Sequence, residues 1–304
     1  MVQAHPGLPE FDYIKPASLE EASRFLARRA GEARPFLGGT DVFVRMRDGA
    51  WRDRFLVDVK GLPAMNVLAF DPDEGLTLGA AVTMNRTIEH PLVRAHYPLL
   101  AEAARSVGGY QLRNRATVAG NLCNASPAGD TLGACLAYGA RLKVFSRQGE
   151  REVPLDGFFL GPGKTLLQPG DIVTAVLFPA PPAGQAGRYL KLGRNVLSDL
   201  SIVGVTALGW PDPARPSGYG FRLALASVAP VPLVPTAAEA ILSERPPGAD
   251  TFAAAAEAAM EASAPIDDAR ASARYRKAMV RNLVRQALTA IWEELRGSES
   301  AQGD

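Results

Sequence analysis

The run Ala116-Thr117-Val118-Ala119-Gly120-Asn121-Leu122-Cys123-Asn124-Ala125-Ser126-Pro127-Ala128-Gly129-Asp130 restricts what this chain can build more than any other segment. Its side chains are small, charge is nearly absent, and it closes on a single acid. From Ala116 to Ala119 the residues are small or β-branched, and Gly120 has no side chain. Such a backbone can lie flat against a ligand and offer its N–H groups as donors. An earlier stretch behind Pro35, Phe36-Leu37-Gly38-Gly39-Thr40-Asp41, has the same character. Taken alone, a Gly-Gly pair reads as a tight turn. Two such loops brought together in space make a two-sided cradle for a pyrophosphate.

Neither loop follows a familiar phosphate pattern. No G-x-G-x-x-G opens a helix after a strand. Gly161-Pro162-Gly163-Lys164-Thr165 ends like a P-loop, but Phe158 stands where the first glycine is required. A doubly wound dinucleotide fold and an ATPase are therefore set aside.

At 304 residues the chain can fill two or three compact units, each with its own core. Apolar residues at 47% and charged ones at 21% give an ordinary globular balance. A formal net charge of +1 leaves no electrostatic footprint for nucleic acid. No apolar run reaches membrane-spanning length, and Met1-Val2-Gln3-Ala4-His5-Pro6-Gly7 lacks a signal-peptide core. Cys123 and Cys135 cannot form a disulfide framework and lack the C-x-x-C spacing of a metal or cluster site. His5, His90 and His96 are too scattered for a metal centre. The expectation is a soluble, cytoplasmic protein with no metal of its own, no nucleic-acid partner and no membrane span.

Taken in order, Phe11 to Lys15 reads as a strand, and Ser18 with Glu21 as the capping box of a helix from Leu19 to Arg29. Arg34 to Leu37 reads as a strand that continues beyond the Gly38-Gly39 turn from Val42 to Arg47. Phe55 to Val59 is another strand, and Asp71-Pro72-Asp73-Glu74-Gly75 a hairpin turn. Helices are expected over Thr83–His90, Leu99–Val107 and Thr131–Tyr138, with strands at Leu142–Phe145, Arg151–Pro154 and Asp171–Phe178. Pro179-Ala180-Pro181-Pro182-Ala183-Gly184 cannot hold a regular element and is placed as the domain boundary. Beyond it, strands are expected at Arg188–Leu192, Leu200–Gly209 and Phe221–Val228. An alanine-rich helix follows from Ala237, extended by Thr251 to Ala262. A last helix, Ser272–Leu295, carries Met279, Leu283, Gln286-Ala287 and Ala290-Ile291 near one face. Asp267-Asp268 reads as its N-terminal cap, and Gly297 to Asp304 as a frayed polar tail.

No nucleophile–base–acid set is visible. Ser126 and Ser198 have no histidine nearby in sequence and no G-x-S-x-G elbow exists. Lys191 and Arg194 look like anion partners. Ligand-cradling loops without acid–base machinery point to a cofactor holder, in which the cofactor carries the chemistry.

The pairing of Phe36–Asp41 with Thr117-Val118-Ala119-Gly120-Asn121 resembles the two FAD loops of the flavoprotein subunits of molybdenum hydroxylases. These are the medium subunits of the xanthine dehydrogenase, carbon monoxide dehydrogenase and aromatic-acyl-CoA reductase group. The resemblance spans nearly the whole chain. It continues through Arg113-Asn114-Arg115-Ala116, Gly161–Leu166, Pro169-Gly170-Asp171-Ile172, Lys191-Leu192-Gly193-Arg194 with Asp199, and Pro265–Arg276. Each motif alone is weak, but their shared order is specific.

The resemblance implies an α+β fold. A two-subdomain FAD-binding domain of the vanillyl-alcohol-oxidase (PCMH) type would cover residues 1–183, with subdomains of about 1–60 and 61–183. A smaller α+β C-terminal domain of the CO dehydrogenase flavoprotein type would cover 184–295, and a polar tail 296–304. FAD would be bound non-covalently. Phe36, Leu37, Gly38, Gly39, Thr40, Asp41, Thr117, Ala119, Gly120 and Asn121 would hold the pyrophosphate and nearby ribityl atoms. Asp130 would accept from sugar or ribityl hydroxyls, Ile172 and Val173 would lie near a ring system, and Lys191 near the flavin edge. Molybdenum cofactor and 2Fe–2S clusters would sit on a large and a small partner subunit, with NAD or another molecule as final acceptor. The chain departs from the family where Ala119 replaces the commoner glycine. Val107 stands where animal xanthine dehydrogenases have an aromatic residue over the flavin. The four-cysteine insert of 4-hydroxybenzoyl-CoA reductase flavoprotein subunits is absent. The competing reading is a self-contained flavin oxidase or reductase with its own substrate pocket; such enzymes offer a histidine or tyrosine base or a covalent flavin link, and His90 and His96 lie outside the recognised loops. A scaffold that has lost its flavin is the third.

Overall fold

Ser18 accepts the Glu21 N–H at 3.2 Å, and the Glu21 carboxylate returns to the Ala17 N–H at 2.7 Å. This reciprocal cap starts the helix Leu19–Arg28, which buries Ala22, Ser23 and Leu26. The structure, a computed structural model, describes residues 7–195 and 198–302. That first helix joins Asp12–Ile14 to Ala33–Phe36, and both strands pair in parallel with Phe55–Asp58 between them.

Val42–Arg47 is a helix, where the β-branched run predicts a strand. Val42, Phe43 and Met46 fall at helical spacing and pack with Phe36 and Leu56. Tertiary burial at that period outweighs the strand preference of Val42, Phe43 and Val44.

The second sheet is antiparallel, in the order Leu68–Asp71, Gly75–Gly79, Ile172–Phe178, Arg141–Ser146, Gly149–Pro154. Between Gly75–Gly79 and Arg141–Ser146, the second and fourth strands in that order, the chain makes a long excursion of helices. One of them, Val118–Asn124, corrects the expectation of a loop around Gly120: the Thr117 hydroxyl accepts the Gly120 N–H at 2.9 Å and caps it. Ala125 ends it in the left-handed region at φ 46°.

The third sheet is Ala186–Leu192, Val203–Pro211, Tyr219–Ala226, again antiparallel. Its strands are apolar at nearly every position because both faces are covered. Val203, Val205 and Ala207 join the C-terminal core, while Leu208 and Tyr189 join the N-terminal one. On the N-terminal side Gly187 lies against Leu99, where a Cβ would come within 2.9 Å, and Gly133 lies against Thr206. The alanine-rich segment is two helices, Thr236–Glu244 and Ala249–Ala262, separated by Arg245-Pro246-Pro247-Gly248. The last helix runs from Ala273 to Gln302, past the expected stop near Leu295, so the predicted fraying from Gly297 is not found within the described residues. Its fully buried stripe is Val280, Val284, Ala287 and Ile291, with Met279 and Leu283 on its flank and Gln286 exposed.

Asp267 accepts the Ala273 N–H at 2.6 Å, which is the cap read from sequence. Asp268 has a different task. It binds Arg270 and, at 2.6 Å, the buried Arg276, whose guanidinium also donates to the Ile202 and Ser227 carbonyls at 3.0 and 2.9 Å. Arg270, backbone donors and Arg276 hold the Asp268 carboxyl well below the usual aspartate range. A depressed carboxyl contributes stability that is fully present above the ordinary aspartate value and is lost as pH falls through the folded-state value. The urea midpoint of the wild type should therefore drop steeply below about pH 4. Asp268→Asn should start lower and lose less over that range; parallel acid limbs for the two proteins would refute this role.

Candidate functional site

The two glycine stretches meet backbone to backbone. A Cβ on Gly38 would run into the Arg115 carbonyl, and one on Gly39 would come within 2.6 Å of the Phe36 ring. Gly39 also sits at φ +75°, so this turn needs glycine for both space and conformation. Among the described residues, the N–H groups of Gly38, Gly39 and Thr40 have no hydrogen-bond partner. The same holds for Val118 and Ala119, buried residues at the start of the capped helix. Backbone donors without acceptors, half-buried at Gly38 to Thr40 and in buried residues at Val118 and Ala119, are costly when water is excluded, so this cluster suits an anion or another acceptor. Gly120 contributes differently from expectation: its N–H is directed to the Thr117 cap, and its missing side chain leaves room.

These segments border a cavity of about 650 Å³, within the range of small-molecule and cofactor sites. Leu37, Gly38, Gly39, Thr40, Asp41, Thr117, Gly120, Asn121, Asp130, Ile172 and Val173 line it. Phe36, Ala119 and Lys191 do not. Phe36 lies beneath Gly39, with Lys60 Nζ 4.5 Å from its ring centroid, and braces the turn. Ala119 is buried in the N-terminal core. Lys191 Nζ is held 2.8 Å from Asp130 and 3.1 Å from the Ser106 carbonyl.

Asp130 is the polar hub at this side. It accepts from Lys191 and, at 2.6 Å, from the buried Tyr189 hydroxyl. Burial pushes its carboxyl above the ordinary aspartate value, against the pull of Lys191 and the two hydrogen bonds. Asn121 Oδ1 accepts from Thr131, which fixes its amide. Asp41 opens onto the cavity; enclosure raises its carboxyl, while Arg45 and the hydrogen bonds from Asn124 and Thr40 oppose the rise.

Several lining residues carry no signal in sequence. At one end Arg34 and Trp51 are stacked beside the buried Asp53. At the other, Val107 and Gly108 form a strap with Met84, Leu112, Ser198 and Leu200 nearby. Arg113 holds that strap by donating to the carbonyls of Arg105, Val107 and Gly108 at 2.9, 3.0 and 2.8 Å. Neither His90 nor His96 lines the cavity, and His96 is stacked on Phe70 at 4.2 Å. No group of three His, Cys, Asp or Glu residues among the described residues could hold a metal ion. Burial pushes the Cys123 thiol up to about 12, so this cavity-lining cysteine is a poor nucleophile.

Residues 9–181 match the FAD binding domain in molybdopterin dehydrogenase, and residues 189–291 the CO dehydrogenase flavoprotein C-terminal domain. The chain belongs to this family of FAD-binding dehydrogenase subunits. The flavoprotein is 32% identical over 278 residues to the xanthine dehydrogenase FAD-binding subunit of Escherichia coli O157:H7, covering 91% of this chain and 94% of that one. It is also 32% identical over 289 residues to the carbon monoxide dehydrogenase medium chain of Hydrogenophaga pseudoflava, covering 93% and 98%. Among solved structures, the carbon monoxide dehydrogenase of that organism lacking the Mo-pyranopterin moiety superposes with a TM-score of 0.89 at 32% identity, covering 94% of this chain and 98% of that one. Quinoline 2-oxidoreductase from Pseudomonas putida 86 gives 0.86 at 25%, covering 95% and 98%. The site fits FAD on its own geometry. Its opposed backbone donors suit a pyrophosphate, and the cavity extends to both sides of them.

Proposed function

We propose that this flavoprotein is the electron-transfer subunit of a molybdenum hydroxylase complex. The observation that carries the reading is the junction at Gly38 and Arg115, where two backbone segments with unpartnered N–H groups face one cavity. When bound there, FAD supplies the redox chemistry, taking electrons one at a time and giving them up in pairs. The chain's own residues bind and orient. Gly38 to Thr40 and the start of the Val118–Asn124 helix hold the pyrophosphate. Asp130 fixes hydroxyls of the linking chain while Lys191 and Tyr189 hold it in place. The Val107–Gly108 strap covers the ring end and limits water. Residues 1–183 make the cofactor domain, and 184–295 supply Lys191 and close one side.

The partners that complete the complex are a large molybdopterin-binding subunit and a small 2Fe–2S subunit, in keeping with relatives named as medium chains. NAD or another acceptor takes the electrons. No helix among the described residues is long and apolar enough to cross a membrane, and we place the complex in the cytoplasm.

The purified chain should release intact FAD on denaturation and show no oxidation of purines, aromatic heterocycles or carbon monoxide by itself. Activity should appear only after co-expression with the neighbouring subunits. Turnover by the isolated chain would replace this reading with a self-contained oxidase.

A further inference from the structure

The contacts around the cavity divide its lining into two ends. Ser198 approaches Gly109 and the adjoining strap at one end, whereas Gly170 packs on Ala27 of the first helix at the other. At that second end a charged wall stands among mixed lining that includes Leu26, Ala30, Asp53 and Gln168. The Arg34 guanidinium lies 3.7 Å from the centroid of the Trp51 ring, and its Nε donates to Asp53 at 2.8 Å. The Asp53 side chain is 8% exposed while that of Arg34 keeps 34%. The carboxylate therefore pins the plane of the guanidinium from within and leaves part of it facing the cavity. The Gln168–Gly170 turn, which lines the same cavity, is held in place: Asp171 accepts the Gln168 N–H at 2.7 Å and two bonds from Arg151, and Ser23 donates to the Gly170 carbonyl. The Arg34–Trp51 corner is thus a slot wall, planar and cationic, in a cavity that the fixed Gln168–Gly170 turn also lines.

We propose that this slot seats the adenine ring of the dinucleotide, stacked on Arg34, and that Arg34 thereby selects FAD over FMN. The inference rests on the FAD reading above. A guanidinium held over an indole can stack a flat aromatic base on its other face, and its fixed position lowers the ordering cost of doing so. A surface arginine free to rotate would lack that advantage.

The test uses flavin-free full-length chain titrated with FAD and, separately, FMN. Arg34→Gln and Arg34→Lys should each weaken FAD binding by on the order of tenfold to a hundredfold, the range for loss of one base stack. FMN affinity should stay unchanged, which shows that the pyrophosphate cradle and ring end are intact. Since Arg34→Gln leaves the buried Asp53 unpaired, Arg34→Gln with Asp53→Asn is the companion variant and should show the same loss for FAD. Lysine keeps the charge without the plane. Full FAD affinity in Arg34→Lys would therefore overturn stacking in favour of a simple phosphate contact. Equal losses for FAD and FMN would overturn it in favour of a structural role, and unchanged FAD binding in all variants would overturn it outright. Failure of the wild-type chain to bind FAD is a separate result, and it would sink the underlying cofactor reading.

Discussion

Gly120→Asp is expected to weaken FAD binding by on the order of a thousandfold while leaving the chain folded. Gly120 lines the cavity at the third position of the Thr117-capped helix. A carboxylate there would stand beside the pyrophosphate, and like charges at ~4 Å repel by roughly 4 kcal/mol at an effective dielectric near twenty. That energy corresponds to about three decades in the dissociation constant. Without ligand, its Cβ meets Thr117 Oγ1 as any side chain here would, a cost of about 1 kcal/mol that an acid in the first turn of a helix partly offsets, so the apo protein should fold with a slightly lowered thermal midpoint. Gly120→Ala is the control. Its Cβ would meet Thr117 Oγ1 at 2.9 Å and disturb the cap, at a cost of about 1 kcal/mol, but it adds no charge. Flavin titration separates the two. Equal FAD affinity for Gly120→Asp and wild type would remove this helix start from the cradle.

Arg276→Ala is expected to be the most destabilising single change in the C-terminal half, by about 3–5 kcal/mol. The Arg276 side chain is 2% exposed and ties three separated segments together, through Asp268, Ile202 and Ser227. Truncation leaves the Ile202 and Ser227 carbonyls without this donor and removes the buried cation from Asp268, which keeps Arg270 and backbone donors. Ser227 holds a strained φ of +65°, and the Arg276 bond to its carbonyl is one of the contacts that fix it. Arg276→Lys should recover only part of the loss, because an ammonium cannot reproduce the guanidinium fork. Urea unfolding followed by tryptophan fluorescence in a Trp51→Phe background reads this half, since the other two tryptophans, Trp210 and Trp292, both belong to it. A midpoint within error of the wild type would show that the three-way tie is dispensable.

Both positions show how local and distant information divide. Gly38-Gly39 and the run around Gly120 stand out in sequence because a backbone stripped of side chains is a local property. Ser18 with Glu21, and Asp267 ahead of the last helix, were legible for the same reason: a cap is decided within four residues. The Pro179–Gly184 segment could be read as irregular because proline forbids the alternatives.

What the sequence alone determined was therefore where the backbone is bare, capped or broken, and, through the ordered motifs, the family. Only the tertiary structure decided that Val42–Arg47 coils, since its helical stripe has value only once Phe36 and Leu56 are there to bury it. The fold also decided that the Gly120 run begins a helix, because one threonine hydroxyl and the Ala116–Met84 backbone bond set its entry. Lys191 was visible as a cation, yet its capture by Asp130 depends on two segments that meet across the domain junction. Arg34, Trp51 and Asp53 share no period and no motif, and nothing marks them until the first sheet brings them to one corner. Short-range chemistry is written in neighbouring residues, whereas a charge's partner and a ring's stacking face are set by packing between segments far apart in the chain.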